Sequence, residues 1–246
     1  MIGAMFLQLD PARILATTER LRDRIRERFP TANLAKVADE LVAVAKAHAA
    51  RSALIQRASR WPAIVGTLVL LFAITFVGVA LASVHPEVGD RWQLTDVIQA
   101  VESTLGTLVF LGAAFVSVWT LDVRGKRSRC LTALHEMRAM AHIVDMHQLT
   151  KDPERLLHPG GDTPSSPERA FDATQLARYL DYCSEMLALI GKVAALYVQG
   201  FPDPVALAAV DDIEDLTGSL SRKIWQKIVL LEQALVVRQA PSAPPR

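Results

Sequence analysis

The chain has 246 residues, of which 51% are hydrophobic and 22% charged, with 27 basic side chains against 26 acidic ones and a mean hydropathy of +0.23. This is too apolar for an ordinary soluble domain and too charged for a protein made mainly of membrane spans, so a membrane-anchored protein with a sizeable water-facing part is expected. A formal charge of +1 supplies no field for nucleic acid, and two cysteines, Cys130 and Cys183, with no CxxC and no metal-ligand spacing, give no disulfide framework.

The first residues, "MIGAMFLQLDPAR", lack the basic start and the long apolar run of a cleavable signal. Asp10 followed by Pro11 reads as an N-cap with proline at the first helical position. Ile14, Leu21 and Ile25 then recur at helical spacing up to Pro30, which predicts a helix over about 11–29. A second helix opens near Thr31 with Leu34, Val37, Leu41, Val44 and Ile55 on one face. No breaker stands before Pro62, so it is expected to run straight into the membrane.

Residues 61–84, "WPAIVGTLVLLFAITFVGVALASV", carry no charge, and at about 1.5 Å per residue a helix of this length exceeds a hydrocarbon core of about 30 Å. Residues 103–121, "STLGTLVFLGAAFVSVWTL", are uncharged as well and just long enough to cross. The loop between them, 85–102, carries Arg91 against Glu87, Asp90, Asp96 and Glu102, whereas the outer flanks hold Arg57 and Arg60 before the first span and Arg124, Lys126, Arg127 and Arg129 after the second. By the positive-inside rule both termini are cytoplasmic and the acidic loop is outside. Trp61, Trp92 and Trp119 fall at the expected interfaces. Neither span contains an interior ionisable residue of the kind that marks a proton or ion path. Gly66, Gly78, Gly106 and Gly112 permit close helix approach without forming a GxxxG motif.

Beyond the second span, Cys130, Leu134, Met137, Ala141 and Val144 make an apolar seam, so that helix is expected to continue to about Leu149. The proline- and glycine-rich stretch 150–169 reads as a polar linker. Leu176, Leu180, Cys183, Leu187, Ile190, Ala194 and Tyr197 follow as a heptad stripe that ends at Gly200, expected as a helix-terminating residue. Asp203 and Pro204 repeat the cap chemistry of Asp10 and Pro11 and open a last helix, whose core face is Ile213, Leu216, Leu220, Ile224, Ile228, Leu231 and Leu235. Its acids, Asp211, Asp212, Glu214 and Asp215, lack the spacing of a calcium loop and read as a solvated face. Residues 239–246, "QAPSAPPR" with its prolines, form a tail expected to be disordered. The organisation is therefore all-α, in four parts. Residues 1–60 form N-terminal cytoplasmic helices, 61–121 a two-helix transmembrane hairpin, 122–238 a C-terminal cytoplasmic helical region, and 239–246 the tail. The water-facing parts together make a bundle of four to five long amphipathic helices.

The chemistry-bearing stretch is "HEMRAMAHIVDMHQL", residues 135–149. It is not HExxH, since His135 and His142 are not four apart, and the chain has no Glu-x-x-His, no phosphate-binding loop and no nucleophile elbow. No enzyme class is recognisable, and the chain is expected not to be an enzyme. His135, Arg138, His142 and Asp145 nonetheless share a stripe beside the apolar seam. His48 lies on the seam of the second helix and precedes the first span by nearly the distance at which His135 follows the second, which puts both roughly 20 Å below the membrane edge. His48, His135, His142 and Asp145 are accordingly candidate ligands for a transition metal, or a cluster that titrates near neutral pH. The simpler reading makes them ordinary interfacial residues.

The function expected is that of an inner-membrane scaffold or interaction protein, whose partners are the lipid bilayer and either another protein or a second copy of the chain, reached through its helices. A homo-oligomeric channel or transporter component gated by the helical region is the alternative, and a metal- or pH-responsive membrane regulator the third. The alanine-, arginine-, valine- and leucine-rich composition accords with a bacterial origin.

Overall fold

The computed structural model describes residues 8–57, 61–83, 94–153, 163–166 and 171–239. These residues are all-helical, with no strand among them. Six helices follow in chain order, α1 (Pro11–Arg28), α2 (Asn33–Gln56), α3 (Trp61–Ser83), α4 (Leu94–Leu149), α5 (Ala173–Ala195) and α6 (Pro204–Gln239). The chain divides into two compact units, one drawn from Met1–Gln56 with Arg129–Arg246 and the other from Arg57–Ser128.

In the first unit the sequence patterns close onto one core. Asp10 Oδ1 accepts the backbone N–H of Ala12 at 2.9 Å with Pro11 at the first helical position, and Asp203 Oδ1 accepts those of Val205 and Ala206 at 3.1 Å, so both helices start where their caps place them. A third start, unread in the sequence, is a capping box in which Asp172 and Gln175 each bond the other's backbone N–H. The α5 stripe Leu176, Leu180, Cys183, Leu187, Ile190, Ala194 and Tyr197 is buried throughout, as is the α4 seam Cys130, Leu134, Met137, Ala141 and Val144. Phe29, at the end of α1, sets its ring edge-on against Phe171, Tyr179 and Tyr182. Burying each such side chain stabilises the fold by about 1.5–3 kcal/mol, and the cluster joins α1, α2, α5, α6 and the end of α4 into a single core.

Two expected boundaries move in this unit. The second helix stops at Gln56 and does not run on to Pro62; residues 58–60 lie outside the described residues, and the next helix begins at Trp61. The Gln56 side chain turns away to donate from Nε2 to the Leu196 carbonyl at 2.7 Å. Gly200 is not the residue that ends α5, which stops at Ala195 with Leu196 as its cap. It is glycine because Gln56 crosses it. A Cβ at Gly200 would lie 2.7 Å from Gln56 Cγ, so this position serves close approach and not helix termination.

The second unit has another surface chemistry. The helix after the loop starts at Leu94, earlier than the expected 103, and continues without a break to Leu149. Its segment Val101–Leu149 is the one helix among the described residues that is long and apolar enough to cross a membrane, and Ala63–Phe76 in α3 is apolar but shorter. Leu105, Val109, Phe110, Val116 and Leu121 are all more than half exposed, and so are Leu68, Leu70, Leu71, Phe72 and Ile74 of α3. Gly66 admits the Phe115 ring, which sits 3.0 Å from where a Cβ would be; nothing lies within 4 Å of the corresponding point on Gly78, Gly106 or Gly112. Lys126 Nζ reaches Asp122 Oδ2 and the Arg57 carbonyl, both at 3.4 Å. Arg60, the loop 84–93 with Trp92, most of the 150–169 linker and the tail from 240 lie outside the described residues.

Candidate functional site

Along α2, Leu41, Ala45, His48, Ser52 and Ile55 alternate by four and three and are all buried, so the one ionisable member of this stripe, His48, is carried into the core at 1% exposure. A buried imidazole needs both nitrogens satisfied. Nε2 lies 2.9 Å from Glu136 Oε2 on α4, and Nδ1 lies 2.8 Å from the Tyr197 hydroxyl in the turn after α5. The Tyr197 ring also meets the imidazole edge-on, with centroids 5.6 Å apart. Arg51, one turn along α2, donates from Nη1 to both Glu136 oxygens at 2.8 and 2.7 Å.

The chemistry of the partners assigns the protons. Arg51 keeps Glu136 ionised, and a carboxylate only accepts, so His48 carries its hydrogen on Nε2 and takes the Tyr197 O–H on Nδ1. Burial lowers the His48 pKa from its ordinary 6.5 and outweighs the Glu136 carboxylate, which acts to raise it. Burial acts to raise the Glu136 pKa too, but hydrogen bonds from Arg51 and then His48 carry it below its ordinary value. The Tyr197 hydroxyl is pushed up by burial and stays a donor. The result is a neutral imidazole at neutral pH that ties α2, α4 and the turn after α5 together, with both ring nitrogens already in use.

The residues expected beside His48 are distributed otherwise. His135, Arg138 and His142 are exposed. Asp145 is half-buried and accepts from Gln148 Nε2 at 2.6 Å. Gln148 in turn holds Lys227 of α6, whose Nζ donates to Gln148 Oε1 at 2.8 Å and to the Gln148 carbonyl at 3.2 Å, closing the C-terminal end of α4 with a cation. Among the described residues no three His, Cys, Asp or Glu side chains converge so as to hold a metal ion. The reason is rotational. With about 100° per residue and Met137 at the centre of the buried arc, His135 and His142 fall roughly 160° and 140° away, while Glu136 falls on the border opposite Asp145. Cys130 and Cys183 are buried free thiols whose pKa values burial pushes up to about 11 and about 12, which leaves no reactive thiolate.

Glu136 and Tyr197 are the partners of His48 that sequence reasoning passed over. A signal for one existed. Tyr197 closes a buried heptad stripe, and a hydroxyl there needs a buried partner; a histidine inside another buried stripe needs one too. No protein-family model, no curated protein and no solved structure matches this chain.

Proposed function

We propose that the chain is an inner-membrane-anchored interaction protein, with α3 and the apolar part of α4 as a two-pass hairpin and the other helices as a cytoplasmic bundle that binds a protein partner or a second copy of itself. One contrast within a single helix carries this reading. Between Leu105 and Leu121 most apolar side chains of α4 are exposed, Leu111 and Val118 being half-buried, whereas between Cys130 and Val144 the seam is closed. Apolar surface left open over that length is stable in hydrocarbon and not in water. Arg57, Arg60, Arg124, Lys126, Arg127 and Arg129 at its flanks, against the acidic 85–102 segment, support cytoplasmic termini. Exposed Trp225 and Val229, one turn apart on α6, with Leu230 beside them, support a docking role for the water-facing part.

Single-cysteine labelling tests the topology. A membrane-impermeant maleimide applied to intact cells is expected to modify a Val88→Cys variant and to reach Ser242→Cys only after permeabilisation. Labelling of both from outside, or of neither, would sink the two-pass arrangement. The native mass of the detergent-purified protein, compared with that of Trp225→Glu, then separates self-association from binding to another chain.

A further inference from the structure

Where α1 passes into α2, the end of α4 and the start of α5 leave a cleft of about 580 Å³, within the 300–1,000 Å³ typical of small-molecule sites. Three basic side chains enter it from separate places in the chain. Arg28 comes from the last turn of α1, His147 from the last turn of α4, and Lys151 from just beyond it. Among the described residues, no Asp or Glu lines it.

Its wall is aromatic. Phe29, Phe171 and Tyr179 touch one another, with centroids 5.2 to 5.7 Å apart. Over two of these rings lies a cation, with Lys151 Nζ 4.9 Å from the Phe171 centroid and 5.7 Å from that of Tyr179. The main chain beneath it is held, since the Lys151 N–H donates to the Gln148 carbonyl at 3.0 Å and the Lys151 carbonyl accepts from Lys227 Nζ at 3.5 Å. The ammonium can therefore swing toward a ligand while its backbone stays.

Two cations, Arg28 and Lys151, with the His147 imidazole beside them and no carboxylate among the described lining residues, favour an anion, and ring faces freed when Lys151 turns to that anion favour a flat, unsaturated partner. We propose that this cleft binds a small anionic ligand carrying a planar ring, of the nucleoside monophosphate class. Arg28, His147 and Lys151 take the phosphate, and Phe171 and Tyr179 take the ring.

Calorimetric titration of the detergent-purified full-length protein with AMP and, in parallel, UMP is the test, with inorganic phosphate and adenosine as separate titrants. The expected result is saturable one-to-one binding of at least one nucleotide, weakened at least tenfold by Arg28→Ala and by Lys151→Ala. Lys192→Ala, outside the cleft, should leave it unchanged. Phosphate and adenosine should each bind at least tenfold more weakly than the nucleotide. Saturable binding of neither nucleotide overturns the proposal, as does binding indifferent to both substitutions or phosphate binding as tightly as the nucleotide. If Lys151→Ala fails to fold, Lys151→Gln, which keeps the stem over the rings, is expected to show the same tenfold loss.

Discussion

At the scale of single residues, the behaviour of His48 follows from two hydrogen bonds and its burial. Tyr197→Phe removes the donor to Nδ1 and leaves a buried acceptor unpaired, which costs about 1–3 kcal/mol and is read as a lower unfolding temperature in detergent. The same site gives stability a pH dependence. Because the folded protein lowers the His48 pKa below 6.5, the unfolded chain takes up the proton first as pH falls. Stability is thus fully present above 6.5, is lost as pH drops through the folded value, and then levels off. Glu136, lowered from 4.5, adds a loss of the same sign at more acid pH. The melting temperature should therefore fall between pH 7 and pH 5, and His48→Gln should flatten that slope; an unchanged slope would assign it to other groups. That His48 lies on a buried face was legible from its spacing. Which side chain would meet it was not, because the α4 seam has two borders and the spacing within one helix is silent about which of them turns toward α2.

At the scale of elements, the heptad stripes were the most legible feature, since a side chain on the apolar arc of a helix has one stable place to go. Their consequence is that no fragment of the first unit closes the core alone. The aromatic face of α5, with Tyr179 and Tyr182, is covered by Phe29 from α1, and the α4 seam joins a core shared with α2. Residues 122–246 expressed alone should aggregate or remain molten, and co-expression with residues 8–57 should restore a cooperative melt. A well-folded isolated fragment would show the N-terminal helices to be dispensable. The Gly200 position belongs to this scale as well. A heptad stripe running into glycine resembles a helix end, but the glycine answers to Gln56, which lies far away in sequence and comes near only in the fold.

At the scale of the whole molecule, one continuous helix, Leu94–Leu149, carries a stretch whose apolar side chains are mostly open and a stretch whose apolar seam is closed. Phe110 is 80% exposed, the highest value among the large hydrophobic side chains described. Placing a charge there by Phe110→Arg should cost about 3 kcal/mol for insertion. The measurable outcome is a drop in the fraction of protein that stays with the membrane pellet after alkaline extraction. A similar Arg substitution at exposed Leu207 of α6 should leave that fraction unchanged. Equal effects at the two positions would argue against a special environment for the α4 segment.

What the sequence by itself determined is periodicity and its punctuation: helix content, the caps at Asp10 and Asp203, the buried stripes and the long uncharged runs. Each depends on neighbours three or four residues away, or on composition alone. Only the tertiary structure decided which flank of α4 meets α2, that His48 pairs with Glu136 and Tyr197, and that Gln56 crosses Gly200. It also decided that Arg28, His147 and Lys151 share one cleft. These depend on the rotation of one helix about its axis against another, which is set by the fit of the whole core and is carried by no single stretch of residues.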